Sequence, residues 1–350
     1  MREDKVTISS SEKLEFVGSL STMLTAGIPI LEVVNSLRED MKGGQKIILD
    51  TMYDDLMQGK HMHQTLIKFP QVFDKVTVNV IKASEEAGTL DVTLRDLKRT
   101  VQKDIEFNDK IRSAMMYPSF IVVVFTGVLL MILTFVVPKI STVFLRMHIT
   151  LPLPTRMMMF VSDLLLKQTI PVLLGTIVVF FLFYLLYKKQ KKIFLNFFFS
   201  LPIISTLVEQ IDITRFSRSL YLLLSSGLPI TQALELTKDV VVKERTSKII
   251  AQSRDMVFSG KSLSEGFRAA KGYIPSIMIK LMEAGEKTGS LDKSMQDISD
   301  YFEYQVSNTL KTLTALLEPI LLVFVGLAVG GMMLAIISPI YGLISQVGTR

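Results

Sequence analysis

Three groups of residues have the types and spacing that chemistry asks for. His61-x-His63 is a histidine pair, and imidazole is the commonest metal ligand. Gly260-Lys261-Ser262 has the ending of a phosphate-binding loop. Glu85 and Glu86, with Glu286 and Asp292, supply carboxylates that could serve as acid and base. Each group also has a plainer explanation. A spacing of two does not put both histidines on one helix face, no third ligand stands near them in sequence, and His148 is isolated. The phosphate loop needs a glycine five positions before Gly260, where Asp255 stands. A helix end followed by a fresh N-cap at Ser262 accounts for the same residues. The carboxylates recur in two copies of one segment, whereas an acid–base pair needs two groups made different by their environments. Corner or interface roles fit them, with a cation or partner site as the alternative. There is no cysteine, which excludes disulfides, iron–sulfur clusters and thiolate zinc sites. No nucleophile elbow, GxGxxG or metalloprotease helix is present. The sequence therefore points to no catalytic residues, no cofactor and no metal, and an enzyme is not expected.

The elements that carry these residues follow from the distribution of apolar side chains. The chain has 350 residues, of which 49% are apolar and 21% charged. Mean hydropathy is +0.40. The excess is concentrated in three uncharged blocks, at 120–137, 170–187 and 320–338. Each is about as long as a helix needs to cross a bilayer's apolar core, roughly 20 residues. A wholly soluble chain and a disordered one are both excluded. The N-terminus is charged and lacks the apolar stretch of a cleaved signal peptide. The net charge of +6 fits segments held against an anionic leaflet better than nucleic-acid binding, which is not expected.

The expected layout is a cytoplasmic helical domain at 1–117, a membrane span at 118–138 and an external loop at 139–169. A second span follows at 170–187, then a basic linker and second cytoplasmic helical domain at 188–318. A third span at 319–341 and an external tail at 342–350 complete it. Orientation rests on Lys188, Lys189, Lys191 and Lys192, which mark the cytoplasmic side of the second span. Lys139, Arg146, Arg156 and Lys167 in the loop pull the other way, at lower density.

The two domains are copies of one another. FVGSLSTMLTAGIPI at 16–30 and FSRSLYLLLSSGLPI at 216–230 share seven of fifteen positions, where unrelated segments share about one. Glu85, Gly88, Leu90 and Asp91 align with Glu286, Gly289, Leu291 and Asp292. Pro118 and Pro138 align with Pro319 and Pro339, so the repeat extends through a span, and these prolines mark the membrane boundaries. Helical periodicity dominates both copies, with Leu14, Val17, Leu20, Met23 and Leu24 on one face behind a capping box at Ser9 and Glu12. Gly27 and Gly227 fit helix C-termini, and Pro29 and Pro229 the first turn of the next helix, so each Gly-x-Pro is a tight corner. About six helices per domain follow, the last running from Leu90 or Leu291 toward its span. The fold class is an all-α membrane protein with two repeated cytoplasmic helical bundles and three transmembrane helices.

The spans contain no ionisable residue, which argues against a transporter or ion channel. Gly326, Gly330 and Gly331 in the third span would let helix backbones approach closely, within the chain or between chains. Taken together, the paired LLSSGLPI-type corners, GEKTGSLD at 285–292 with SEEAGTLD at 84–91, LPLPT at 151–155 and SPIY at 338–341 resemble the inner-membrane platform family of type II secretion and type IV pilus machines (GspF/PilC-like). The resemblance covers nearly the whole chain. It implies a non-enzymatic scaffold that forms homo-oligomers, dimers or larger. The partners implied are a cytoplasmic hexameric assembly ATPase, pilin or pseudopilin subunits, and other inner-membrane assembly proteins. Many members carry a further N-terminal segment implicated in meeting the ATPase. Here the first domain begins near residue 10, which is more similar to type IVb or conjugative thin-pilus forms. The other expectation is a membrane receptor or transporter accessory subunit with paired helical domains.

Overall fold

The computed structural model describes residues 3–139, 142, 153–167, 202–270 and 272–347. Among them the chain is helical, with no β-strand. The first copy holds α1 (Ser10–Thr25), α2 (Ile30–Asp40), α3 (Gly43–Met57), α4 (Met62–Leu66), α5 (Lys75–Ala87) and α6 (Leu90–Met131). Helix α7 (Leu153–Lys167) lies in the segment read as an external loop. The second copy holds α8 (Pro202–Ser225), α9 (Ile230–Thr237), α10 (Glu244–Phe258), α11 (Leu263–Arg268), α12 (Ser276–Thr288) and α13 (Leu291–Val347). The uncharged block at 170–187, the lysines at 188–192 and His148 lie outside the described residues.

Two compact units emerge. One joins Met1–Lys110 with Ser205–Asn308, so both copies of the repeat share it; the other joins Ile111–Ile204 with Thr309–Arg350. Within the first unit, each copy folds around one phenylalanine of its first helix. Phe16 meets Phe73 with ring centroids 5.7 Å apart, and Phe216 meets Phe267 at 5.4 Å. Both Phe16 and Phe216 are fully buried, with Leu20 and Leu220 one turn on. Leu94 and Leu97 of α6, and Met295, Ile298 and Phe302 of α13, follow at helical spacing and close each core.

The corners are built by glycine. Gly27 has φ +80°, and the Ile28 amide reaches back to the Met23 carbonyl at 3.2 Å. Gly227 has φ +84°, and Leu228 reaches Leu223 at 3.1 Å. This is the Schellman ending, which needs a left-handed residue that only glycine adopts without strain. Pro29 and Pro229 stand at the N-cap, one position before the first helical residue. At the start of α1, Ser9 and Glu12 form a reciprocal capping box.

Two helices, α6 and α13, are long and apolar enough to cross a membrane, by length and composition. Helix α6 has 42 residues and α13 has 57, against roughly 20 for one crossing, so in each only the second part is apolar. That part exposes Phe120, Val123, Leu322, Phe324 and Leu327 by more than half. Exposure of so many large apolar side chains in water would be costly, and a hydrocarbon solvent removes the cost. Phe125 and Phe324 bring the two helices into contact, with ring centroids 5.8 Å apart. A π-helical turn at Ile132–Val136 ends α6, and Ser162 of α7 donates its hydroxyl to the Leu133 carbonyl there at 2.6 Å. Pro118 lies inside α6, and Pro319 and Pro339 inside α13, with helix on both sides; Pro138 follows the π-helical turn. The helix α13 continues to Val347, beyond the residue 341 at which the last span was expected to end.

Candidate functional site

The repeated acidic corner resolves into a pair of long-range helix caps. Glu85 on α5 accepts from the Met62 amide at 2.6 Å and the His63 amide at 3.1 Å. In the second copy, Glu286 on α12 accepts from the amides of Leu263 and Ser264, the latter at 3.2 Å. All four amides belong to the first turns of α4 and α11, where backbone donors have no partner within the helix. The two arrangements superimpose residue for residue at a shift of 201. A carboxylate there satisfies two orphan donors and sits at the positive end of the helix dipole. Gly88 and Gly289, both with φ +69°, end α5 and α12. Asp91 and Asp292 lie in the first turns of α6 and α13. Glu85 and Glu286 therefore hold short helices, and Glu86 remains exposed beside Lys82.

The fold brings Glu85 to His63, which sequence spacing had not placed together. His63 Nδ1 lies 2.6 Å from Glu85 Oε2, and the His61 and His63 rings stack at 5.6 Å. No group of three or more metal-ligating side chains occurs among the described residues. Gly260 has φ +84° and ends α10, and Ser262 caps α11 by accepting from the Glu265 amide at 3.3 Å. The helix-end explanation of Gly260-Lys261-Ser262 therefore matches the geometry. Around Gly326, Gly330 and Gly331, no atom of the described residues beyond the adjoining turns of the same helix comes within 4 Å of where a Cβ would stand.

Three polar clusters escaped the sequence reading. Asp212, fully buried on α8, accepts from the amides of Val242 at 2.6 Å and Lys243 at 2.9 Å, ahead of α10. Burial pushes its pKa up, and these hydrogen bonds oppose the shift. Beside it Lys243, whose pKa burial lowers, donates to the Ser205 carbonyl at 2.8 Å.

Asp55, 3% exposed, accepts from Lys60 at 2.9 Å, Thr65 at 2.8 Å and Lys68 at 2.6 Å. Burial raises its pKa, but the bonds to Lys68, Lys60 and Thr65 win and lower it to about 2. The folded pKa is depressed, so the stability it contributes is present above the unfolded value near 4 and is lost as pH falls toward 2. Asp55→Asn is expected to cost about 2 kcal/mol at neutral pH and to flatten stability between about pH 4 and 2. Denaturant unfolding across that range checks this; an unchanged acid limb would refute it.

The third cluster joins the two copies. Arg218 on α8 is 5% exposed and donates to Asp104 of α6 at 2.5 Å and Glu303 of α13 at 2.7 Å. Its guanidinium lies 5.6 Å from the Phe107 ring centroid. Lys103 pairs with Asp300 at 2.5 Å, Lys110 with Glu303 at 2.8 Å and Lys75 with Asp239 at 3.2 Å. A signal for this cluster was present in the sequence. Arg218 aligns with Gly18, a break inside the best-matching block of the repeat.

What the described residues build is a pair of bundles held by helix caps and ion pairs. The chain matches the family described as type II secretion system (T2SS), protein F, over residues 16–138 and 216–339, one match per copy. It is 30% identical over 338 residues to the type IV pilus assembly protein PilC of Thermus thermophilus, covering 96% of this chain and 83% of that one. The PilC protein of Pseudomonas aeruginosa is 29% identical, covering 95% and 90% of the two chains. The type II secretion system protein F of Pseudomonas aeruginosa is 27% identical, covering 94% and 82%. With both halves of the repeat matched and nearly its whole length aligned, the chain belongs to the type II secretion system protein F family.

Proposed function

We propose that this protein is the inner-membrane platform of a type IV pilus or type II secretion machine, coupling a cytoplasmic assembly ATPase to the insertion of pilin or pseudopilin subunits into a filament. The observation that carries this is the match of both copies to one assembly family, together with relatives named for pilus assembly and for secretion. Three crossings are proposed, at 118–138, 170–187 and 319–341, with the domains 1–117 and 188–318 in the cytoplasm and the segments 139–169 and 342–350 outside. Such a chain acts as a scaffold without a catalytic step, and it self-associates. The exposed residues at the acidic corners, Gly88, Gly289 and their neighbours, are candidate contacts for other inner-membrane assembly proteins.

Helices α6 and α13 are the proposed transmission elements. Each begins in a bundle and continues into an apolar segment without a flexible linker. A motion imposed on the bundle would pass along such a helix rather than be absorbed. The test is a short Gly/Ser insertion before Pro118. It should abolish piliation or secretion while leaving expression and membrane insertion intact. Normal filaments in that variant would refute the coupling, and failure to co-purify with the machine's ATPase would refute the platform assignment.

A further inference from the structure

The two copies meet asymmetrically. Helix α6 of the first copy lies against a groove between α8 and α13 of the second, where Asp96, Thr100 and Lys103 face Arg218, Tyr221 and Ser299. The repeat gives the first copy the same groove, between α1 and α6, and no helix among the described residues fills it. It is an open apolar groove lined by Leu14, Gly18, Ser19, Thr22, Lys98 and Ile105. Burial records the difference: Leu222 is 2% exposed, whereas its counterpart Thr22 is exposed. Conversely, the face of α13 that corresponds to the docked face of α6 is open. Tyr301 is 41% and Tyr304 64% exposed, and Asp297 beside them is exposed as well.

We propose that a second copy of this chain fills the groove, laying the Asp297–Tyr301–Tyr304 face of its α13 between α1 and α6, and so repeating between chains the contact made within one. Shifting the occupied interface by one repeat tests the fit residue by residue. Asp96 and Ser299 line one cavity, and their counterparts are Asp297 and Lys98, which carry opposite charge. Lys103 pairs with Asp300, and the counterparts Tyr304 and Arg99 would set an aromatic ring against a guanidinium. Arg218 meets Asp104, and the counterparts are Gly18 and Gln305, whose amide would meet the Lys98 side chain that covers Gly18. Lys98 already extends over Gly18, its Cε 3.4 Å from where a Cβ would be. The contact is head-to-tail, since it uses two different surfaces of each chain.

This deepens the self-association proposed above and names the surface that produces it. The chain has no cysteine, so introduced thiols are unique. Full-length chains carrying Ser19→Cys or Gln305→Cys, each with its own tag, are co-expressed and treated in membranes with a short bis-thiol cross-linker. A link is expected between the two tags, and neither variant should link to itself to more than about a tenth of that extent. Adding Thr22→Arg, at an exposed position in the groove, should reduce the mixed product at least about tenfold. Absence of the mixed product in a chain that still elutes as an oligomer overturns this surface and leaves self-association standing, whereas a monomer overturns both. Equal self-linking of either variant also overturns the proposal, because it reports a two-fold contact.

Discussion

Glu286→Ala is expected to lower the unfolding free energy by about 2–3 kcal/mol, and Glu85→Ala by about the same. Each carboxylate accepts two backbone amides, 22 and 23 residues earlier, at the start of a short helix. Alanine would leave two half-buried N–H groups without partners, and hydrogen bonds to a charged group are worth roughly 1.5–3 kcal/mol. The loss of a favourable charge at the helix N-terminus adds to this. Glutamine keeps one acceptor oxygen but turns its NH2 toward the remaining amide, so Glu286→Gln should fall between wild type and alanine. Glu85→Ala also frees His63 from a 2.6 Å contact. Equilibrium unfolding of the purified chain in detergent measures the series. Glutamine and alanine losing the same amount would mean that the caps contribute through packing and not through hydrogen bonds. A corner that instead served only to meet a partner would show wild-type stability in both variants.

Much of the fold was legible because the chain states it twice. Helices α6 and α13 begin at Leu90 and Leu291, the positions at which the alignment put them, and the Gly27 and Gly227 corners follow from glycine's backbone freedom. The site was less legible, for three different physical reasons. The Glu85 and Glu286 caps were hidden by distance: their partners lie more than 20 residues away, and a carboxylate beside a helix end reads as belonging to that end. Asp55 was hidden by the repeat itself, since its counterpart is Met256 and the cluster exists in one copy only. Arg218 stood where the copies disagree, opposite Gly18 in the first, and this divergence gives the second copy an ion-pairing side chain that the first lacks.

That divergence makes Arg218→Met the other substitution with a large expected effect, about 2–3 kcal/mol of stability. The side chain is 5% exposed, so its charge is tolerated only because two carboxylates meet it. Removing one partner of a buried pair commonly costs about 3–5 kcal/mol. The lower figure is expected here, because Glu303 keeps Lys110 at 2.8 Å and Asp104 is half exposed and can be hydrated. The Nε of Arg218 has no acceptor, so the native arrangement is itself not fully satisfied. Lysine is a poor replacement. Its single ammonium cannot span Asp104 and Glu303 as the planar guanidinium does, and it would weaken the cation–π contact with Phe107. Arg218→Lys should therefore recover less than half of the loss. Since Asp104 belongs to the first copy and Glu303 to the second, a double-mutant cycle of Arg218→Met with Asp104→Ala isolates the part of the energy that joins the copies. A coupling of at least about 1 kcal/mol is expected, together with proteolytic separation of the two bundles in the single variant. Zero coupling would place the whole effect inside the second copy, and the ion pairs joining the bundles would then be those of Lys75, Lys103 and Lys110.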